Sequence, residues 1–463
     1  MAGWSVTSLG LLALLAAASV TLMVRAAPRW GSHRGRPAAL ALLLLALGAF
    51  VNDYFGFLPQ VGDIAGSRPW PVVSARYVLG GSPQLGWLVR PQGAVMTLPV
   101  KGTRSRTPAG SALVYLPPEY FSEPAVRFPV LYMLHGSPGV PLDWFRGGEA
   151  AEAGYASALH GRPTILVAPR MSRGWLDDSE CVDRPGFAAE SYLTLDVIPT
   201  IDAVLHTRTA KEARGVMGNS SGGYCALALG LRHPDLFARI VALSPSTTPT
   251  FSYGSLAELF GRPPELRRVV EQHTPAWLLL NCPSSRALAL RLDIGRQDRL
   301  IDEVRQLAAL DRALNGDPQV IVRQGGHTFR TWRPAIQEAV AWFAQGAAEP
   351  VAQPSAAEGN GEPTGTEHSR LLRACPSLPT DPGRLAARDQ GGEARPDTIR
   401  GWSALPPEPG RQVPPLTAWV HHALATNRAL PLPKWMPATS TRLPAGKPLR
   451  TPTARGHLGL LTP

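Results

Sequence analysis

The five residues Gly218-Asn219-Ser220-Ser221-Gly222 constrain this chain more than any other stretch. A Gly-x-Ser-x-Gly run holds its serine on a sharp turn between an entering strand and a leaving helix. The missing glycine side chains let the flanking backbones close on one another. The neighbours meet that demand: Arg214-Gly215-Val216-Met217 reads as a strand, and from Tyr224 the apolar spacing turns helical. With 45 glycines in 463 residues, chance alone supplies such a pattern about 0.3 times per chain. Its meaning therefore rests on what surrounds it, and Ser220 is the candidate nucleophile.

Apolar runs of strand length occur at residues 94–100, 111–116, 128–134, 163–168, 240–244, 288–292 and 319–322. Between them, Tyr192, Leu195, Ile198, Ile201 and Val204 recur at helical spacing, with Pro199 as the expected kink. Strands alternating with helices predict a mostly parallel central sheet flanked by helices on both faces. In such sheets ligands bind beyond the strand ends. Asp298 falls there, in Gly295-Arg296-Gln297-Asp298, and His327 falls beyond the next strand, in Gly325-Gly326-His327. The chain order serine, acid, histidine is that of an α/β-hydrolase fold.

The three side chains have complementary tasks. A hydroxyl is a weak nucleophile, so His327 would take the Ser220 proton during attack on an acyl carbon and later deliver it to the leaving group. Asp298 would orient the imidazole, with Asp293 as the rival acid. Asp302 and Glu303 read as ordinary polar positions of the following helix. The tetrahedral oxyanion needs fixed backbone donors. Ser221 N–H, just after the nucleophile, is one. Ser137 N–H, in the turn His135-Gly136-Ser137-Pro138-Gly139, is the other.

Taken together, Val114-Tyr-Leu-Pro-Pro118, Pro129-Val-Leu-Tyr-Met-Leu-His-Gly136, Gly218-Asn-Ser-Ser-Gly-Gly-Tyr224, His233-Pro-Asp-Leu-Phe237, Gly295-Arg-Gln-Asp298 and Gly325-Gly-His327 with Trp332 resemble a known family. It is the Putative esterase family of α/β-hydrolases, which holds esterase D, S-formylglutathione hydrolase and the actinobacterial mycolyltransferases. The resemblance covers residues 92–345. It implies a triad of Ser220, Asp298 and His327, oxyanion donors at Ser137 and Ser221, and no metal or organic cofactor.

The ends of the chain have a different character. Residues 4–24 carry no charge and are long enough to cross a bilayer as a helix, and a second apolar stretch, residues 38–51, reaches that length as a helix over 38–58 only by continuing past Asn52 and Asp53. Arg25, Arg29, Arg34 and Arg36 lie between them. Such short basic loops stay cytoplasmic, which places everything after residue 58 outside. Residues 1–58 thus read as a membrane anchor, 59–91 as a juxtamembrane linker and 92–345 as the hydrolase domain. Residues 346–463 read as a Pro/Gly-rich, mostly disordered tail.

The formal net charge of +11 does not indicate nucleic acid, because it is scattered and no aromatic-interleaved basic face accompanies it. Cys181, Cys225, Cys282 and Cys375 lack metal-ligand spacing. An exported domain permits a Cys181–Cys282 disulfide, which sequence does not fix. Asp177, Asp178 and Glu180, near Trp175, read as a solvated acidic loop or a border of the active cleft, and Trp144 as an entrance or core aromatic. The expected function is a membrane-anchored serine esterase acting outside the cytoplasmic membrane on an envelope or lipid-linked acyl ester. The alternatives are an acyltransferase using a sugar or other alcohol, and a catalytically silent binding module.

Overall fold

A computed structural model of the protein describes residues 91–250, 256–261 and 266–348, together with residue 70, residues 72–80 and a few isolated positions before residue 57. The expected membrane helices at 4–24 and 38–58, apart from those isolated positions, and the tail beyond residue 348 lie outside the described residues. Among the described residues, no helix is long and apolar enough to cross a membrane.

The strands are β1 (Val72–Ser74), β2 (Ala94–Gly102), β3 (Thr107–Leu116), β4 (Val130–Leu134), β5 (Ile165–Pro169), β6 (Asp183–Arg184), β7 (Phe187–Ala188), β8 (Arg214–Asn219), β9 (Arg239–Leu243), β10 (Ala289–Gly295) and β11 (Gln319–Arg323). Nine form one sheet in the order β1-β2-β3-β5-β4-β8-β9-β10-β11, and β6 pairs with β7. Within the nine, only β3 runs against its neighbours, antiparallel to β2 and β5. The remaining pairs of the nine-stranded sheet are parallel, and β6 and β7 are antiparallel. This is the mostly parallel sheet of an α/β-hydrolase.

The sequence of β4 shows why both faces of the sheet are covered. All five residues are buried, and successive side chains point to opposite faces. Val130, Tyr132 and Leu134 join one core. It includes residues of the helices α2 (Ser221–Arg232), α3 (Pro275–Asn281) and α4 (Ile301–Ala313). Leu131 and Met133 join the other, with α1 (Ala150–Leu159) and α5 (Phe329–Ala348). Each such aliphatic side chain contributes roughly 1.5–3 kcal/mol by leaving water. Trp144 belongs to this second core and is 1% exposed, so it does not line an entrance.

Two local features depart from the sequence reading. Part of the expected linker belongs to the domain: β1 pairs with β2, and Trp70 packs edge-on against Tyr115 with ring centroids 5.6 Å apart. The helical stretch over residues 189–204 widens to a π-helix at Tyr192–Val197 before resuming at Ile198–Val204. Pro199 has no N–H for the carbonyl one turn back, and its ring crowds that carbonyl, so the preceding turn loosens.

Candidate active site

β4 and β8 are neighbours, but the chain leaves them in opposite directions. From β4 it goes to β5 on one side, and from β8 to β9 on the other. This reversal opens a crevice beyond the carboxyl ends of the two strands. The turn 135–139 after β4 and Ser220 after β8 both fall into it.

The elbow glycines are required by contact. A Cβ on Gly218 would stand 1.8 Å from Gly222 O, and one on Gly222 would stand 2.1 Å from Leu134 O. Ser220 itself takes φ 56° and ψ −124°, a region that non-glycine residues occupy only where their surroundings force it. Here Ser220 N–H donates to Leu243 O at 2.9 Å, and Ser220 O accepts from Tyr224 N–H at 3.0 Å. The strained turn lifts the side chain out of the sheet at the start of α2.

His327 lies four residues after β11 and two before α5. Its Nε2 is 2.8 Å from Ser220 Oγ, and its Nδ1 is 2.8 Å from Asp298 Oδ2. An ionised carboxylate only accepts, so Nδ1 carries the proton and Nε2 presents its lone pair to the serine hydroxyl. The edge of the Trp332 ring meets the imidazole, centroids 5.0 Å apart at 81°. Asp298 is buried, which alone would raise its pKa. The hydrogen bond and charge of His327, with a hydrogen bond from Leu300 N–H, outweigh burial and hold the carboxyl below the usual range.

Asp293 has a different occupation. Its two oxygens take Arg323 Nε at 2.7 Å and Nη2 at 2.8 Å, and the same guanidinium reaches Glu338. This acid therefore serves an ion pair and not the imidazole. Glu303 is half-buried and accepts the Thr247 N–H and hydroxyl, both at 3.2 Å.

The turn after β4 approaches the nucleophile closely. A Cβ on Gly136 would lie 3.2 Å from Ser220 Cβ. His135, buried, donates from Nδ1 to Gly136 O at 2.9 Å and accepts Met171 N–H at 3.3 Å on Nε2. Burial depresses its pKa, so it stays neutral and keeps both bonds. In a trans peptide the N–H lies opposite the carbonyl, so fixing Gly136 O also fixes the direction of Ser137 N–H. Ser221, the first residue of α2, has an N–H with no acceptor one helical turn back.

The loop bearing Trp175 abuts this turn, because Gly139 N–H donates to Trp175 O at 2.9 Å. Its acids are not a solvated face. Asp177 pairs with Arg173 and Arg184. Asp178 and Glu180 are buried, and burial pushes Asp178 up to about 6 and Glu180 well above its ordinary value, each further raised by the other or a neighbouring acid. Cys181 is bonded to Cys225, Cα atoms 5.4 Å apart, which replaces the pairing with Cys282 considered from sequence. Cys225 sits in the first turns of α2, so the bond ties this loop to the nucleophile helix. Among the described residues, no cluster of His, Cys, Asp or Glu is arranged to hold a metal.

Fold and site together define an α/β-hydrolase with a serine–histidine–aspartate arrangement. The model of the family described as Putative esterase matches residues 110–343, half of the chain. The protein belongs to that family of carboxylic-ester hydrolases. It is similar to an uncharacterised protein of Corynebacterium glutamicum, 28% identical over 272 residues, which cover 55% of this chain and 63% of that protein. The match thus spans under two thirds of that relative. An acetyl esterase of Caldicellulosiruptor saccharolyticus is 23% identical over 235 residues, covering 46% of this chain and 83% of its own. Among solved structures, a ferulic acid esterase is similar at 23% identity and TM-score 0.49, covering 55% of this chain and 99% of its own. An S-formylglutathione hydrolase of Staphylococcus aureus is similar at 19% identity and TM-score 0.46, covering 54% and 98%.

Proposed function

We propose that this protein is a membrane-anchored serine esterase that cleaves carboxylic esters through an acyl-enzyme on Ser220. The observation that carries the reading is the unbroken contact from Ser220 through His327 to Asp298, with 2.8 Å at each step. Ser220 Oγ attacks the ester carbonyl while its proton passes to His327 Nε2, and Asp298 stabilises the imidazolium. The oxyanion is met by Ser137 and Ser221 N–H. Collapse of the intermediate expels the alcohol, which takes the proton from His327, and water then attacks the acyl-enzyme by the same route.

The test uses the full-length chain and p-nitrophenyl acetate. Ser220→Ala is expected to lower kcat by about 10³-fold or more, and an unchanged kcat sinks the assignment.

The domain works outside the cytoplasmic membrane in this reading. Support comes from the uncharged residues 4–24, the arginines between the two apolar segments, and the Cys181–Cys225 bond, which suits an oxidising compartment. Anchoring points to an envelope or lipid-linked ester. A reporter fused after residue 58 that is active only in the cytoplasm overturns this topology.

A further inference from the structure

The loop that abuts the turn 135–139 carries two bare apolar side chains. Trp175 and Leu176 are each 57% exposed, although the chain around them is tightly held. Arg173 N–H donates to Asp177 Oδ2 at 2.8 Å, and the Cys181–Cys225 bond fixes the loop further on. Trp175 O accepts Gly139 N–H at 2.9 Å, so the pair stands beside the turn that approaches Ser220. A tryptophan and a leucine displayed on a rigid loop mark a contact surface. The acids that follow do not oppose an apolar partner. Asp177 is paired with Arg173 and Arg184, and Asp178 and Glu180 are buried.

A second feature says what that partner is. In the second apolar stretch, Leu44, Leu45 and Leu47 are helical and 58%, 65% and 56% exposed. Further on, Gly56 takes φ +69° and donates its N–H to Asn52 O at 2.6 Å, the left-handed closure that ends a helix. Arg333 Nη2 donates to Gly56 O at 2.8 Å, and a Cβ on Gly56 would stand 3.0 Å from Arg330 N. Both arginines lie in the first turns of α5, just after His327. From there a run of bonds leads to the bare pair. Arg333 Nε donates to Gly147 O at 2.9 Å, and Gly147 N–H to Asp143 O at 2.9 Å. Asp143 Oδ2 accepts Val140 N–H at 2.8 Å, and Val140 follows Gly139, whose N–H meets Trp175 O.

We propose that Trp175 and Leu176 rest in the surface of the bilayer that covers Leu44, Leu45 and Leu47, so that the Ser220 crevice opens onto that bilayer and takes its ester from a lipid lying in it. This rests on the membrane-anchored reading above and adds to it a docking surface and an orientation. Leucines left bare at helical positions suit a hydrocarbon layer. Tryptophan suits the headgroup level, where its ring is sheltered and its N–H stays wet. Gly56 on α5 is one point of attachment and the Trp175–Leu176 pair the second, which together hold the crevice toward the lipid. An ester group then has to rise only part of the way out of the bilayer to meet Ser220, and the orientation of the two reactants is settled before they meet.

The experiment places the full-length chain in vesicles of phosphatidylcholine and phosphatidylglycerol and follows two esters, water-soluble p-nitrophenyl acetate and 4-methylumbelliferyl oleate dissolved in the bilayer. Replacing both side chains, Trp175→Ser with Leu176→Ser, is expected to lower the ratio of bilayer to soluble hydrolysis about tenfold. Phosphatidylcholine brominated near the carbonyl end of its acyl chains quenches tryptophans that touch it, and the quenched fraction is expected to fall in Trp175→Phe. A ratio within about twofold of wild type in the double variant overturns the proposal. So does a Trp175→Phe chain quenched as fully as wild type, even beside a lowered ratio, because the pair is then a wall for the acyl chain and not a membrane contact. If the double variant does not fold, the quenching of Trp175→Phe decides alone. Flotation separates the two failures. A full-length chain that does not float with the vesicles sinks the anchoring reading, whereas a floating chain whose quenching ignores Trp175 sinks only the docking surface.

Discussion

Replacing Gly222 by alanine tests how closely the nucleophile helix must approach the central strand. The added Cβ would stand 2.1 Å from Leu134 O, 2.5 Å from His135 O and 2.7 Å from the His135 carbonyl carbon. A carbon and a carbonyl oxygen in contact sit about 3.3 Å apart, so the start of α2 and the end of β4 must part by about 1 Å. The obstructing atoms are backbone carbonyls of a buried strand end and its turn, and no side-chain rotation relieves them. Alanine gains about 0.5–1 kcal/mol over glycine inside a helix. Overpacking costs about 1–3 kcal/mol where side chains can yield, and the upper end applies to backbone. The net loss is about 2 kcal/mol, which lowers Tm by about 4–8 °C for a domain of this size.

Activity suffers more than stability in Gly222→Ala. The displaced elements carry Ser220 on one side and the turn 135–139 on the other, the proposed nucleophile and oxyanion donor, and a 1 Å misplacement there costs about 10²-fold in kcat. Thermal melts followed by circular dichroism and steady-state hydrolysis of p-nitrophenyl acetate read the two effects separately. Gly174→Ala serves as the control, because nothing lies within 4 Å of its added Cβ, and it should leave both measurements unchanged. A Gly222→Ala enzyme with kcat within threefold of wild type refutes the close approach as the determinant of the elbow.

Two further outcomes follow from the loop that flanks the elbow. Reducing the Cys181–Cys225 bond releases a cross-link across a sequence separation of 44, which lowers stability by about 4 kcal/mol in the chain-entropy account. Urea unfolding midpoints that coincide with and without dithiothreitol contradict it. Asp178 is pushed up to about 6 by burial from an ordinary 3.8, so between these values the unfolded chain has released a proton that the native protein still holds. Stability is therefore full below about pH 4 and falls by up to about 3 kcal/mol as pH rises to about 6. Asp178→Asn should flatten that fall in urea titrations at several pH values, and an unaltered slope shows that another group is responsible.

What the sequence conveys about this fold depends on burial. β4, β5, β8 and β9 are almost wholly buried, and the middle of a strand covered on both faces must be apolar, which marks it in the sequence. β1 is three residues long at an edge, with two of them exposed, so no apolar pattern distinguishes it from a linker. That Ser220, Asp298 and His327 lie together was legible because each follows a strand end and the chain order is fixed by the topology. Choosing Asp298 over Asp293 required geometry, since both acids stand near the end of β10. Ser244 carries no signal at all: a serine closing a strand is commonplace, and only the buried bond it accepts from Trp332 Nε1 marks it. The disulfide was beyond reach for a similar reason. Cys225 faces the loop of Cys181 because the helix phase of α2 and the path of that loop bring them together, and neither is written in cysteine spacing.

The ion pairs of Arg323 bear on how the enzyme would fail. β11 is the rim of the sheet, exposed along much of its length, and rims fray before centres do. His327 hangs from this rim, only four residues beyond it. Arg323 grips Asp293 on β10 with one edge of its guanidinium and Glu338 on α5 with the other, lashing together the strand and helix that bracket the base. The Asp293 half is sheltered, at 2% side-chain exposure against 53% for Glu338, so salt weakens the outer grip and spares the inner one. On gradual denaturation the first event expected to silence this protein is the peeling of that rim, which would carry the imidazole away from a serine still standing on an intact sheet.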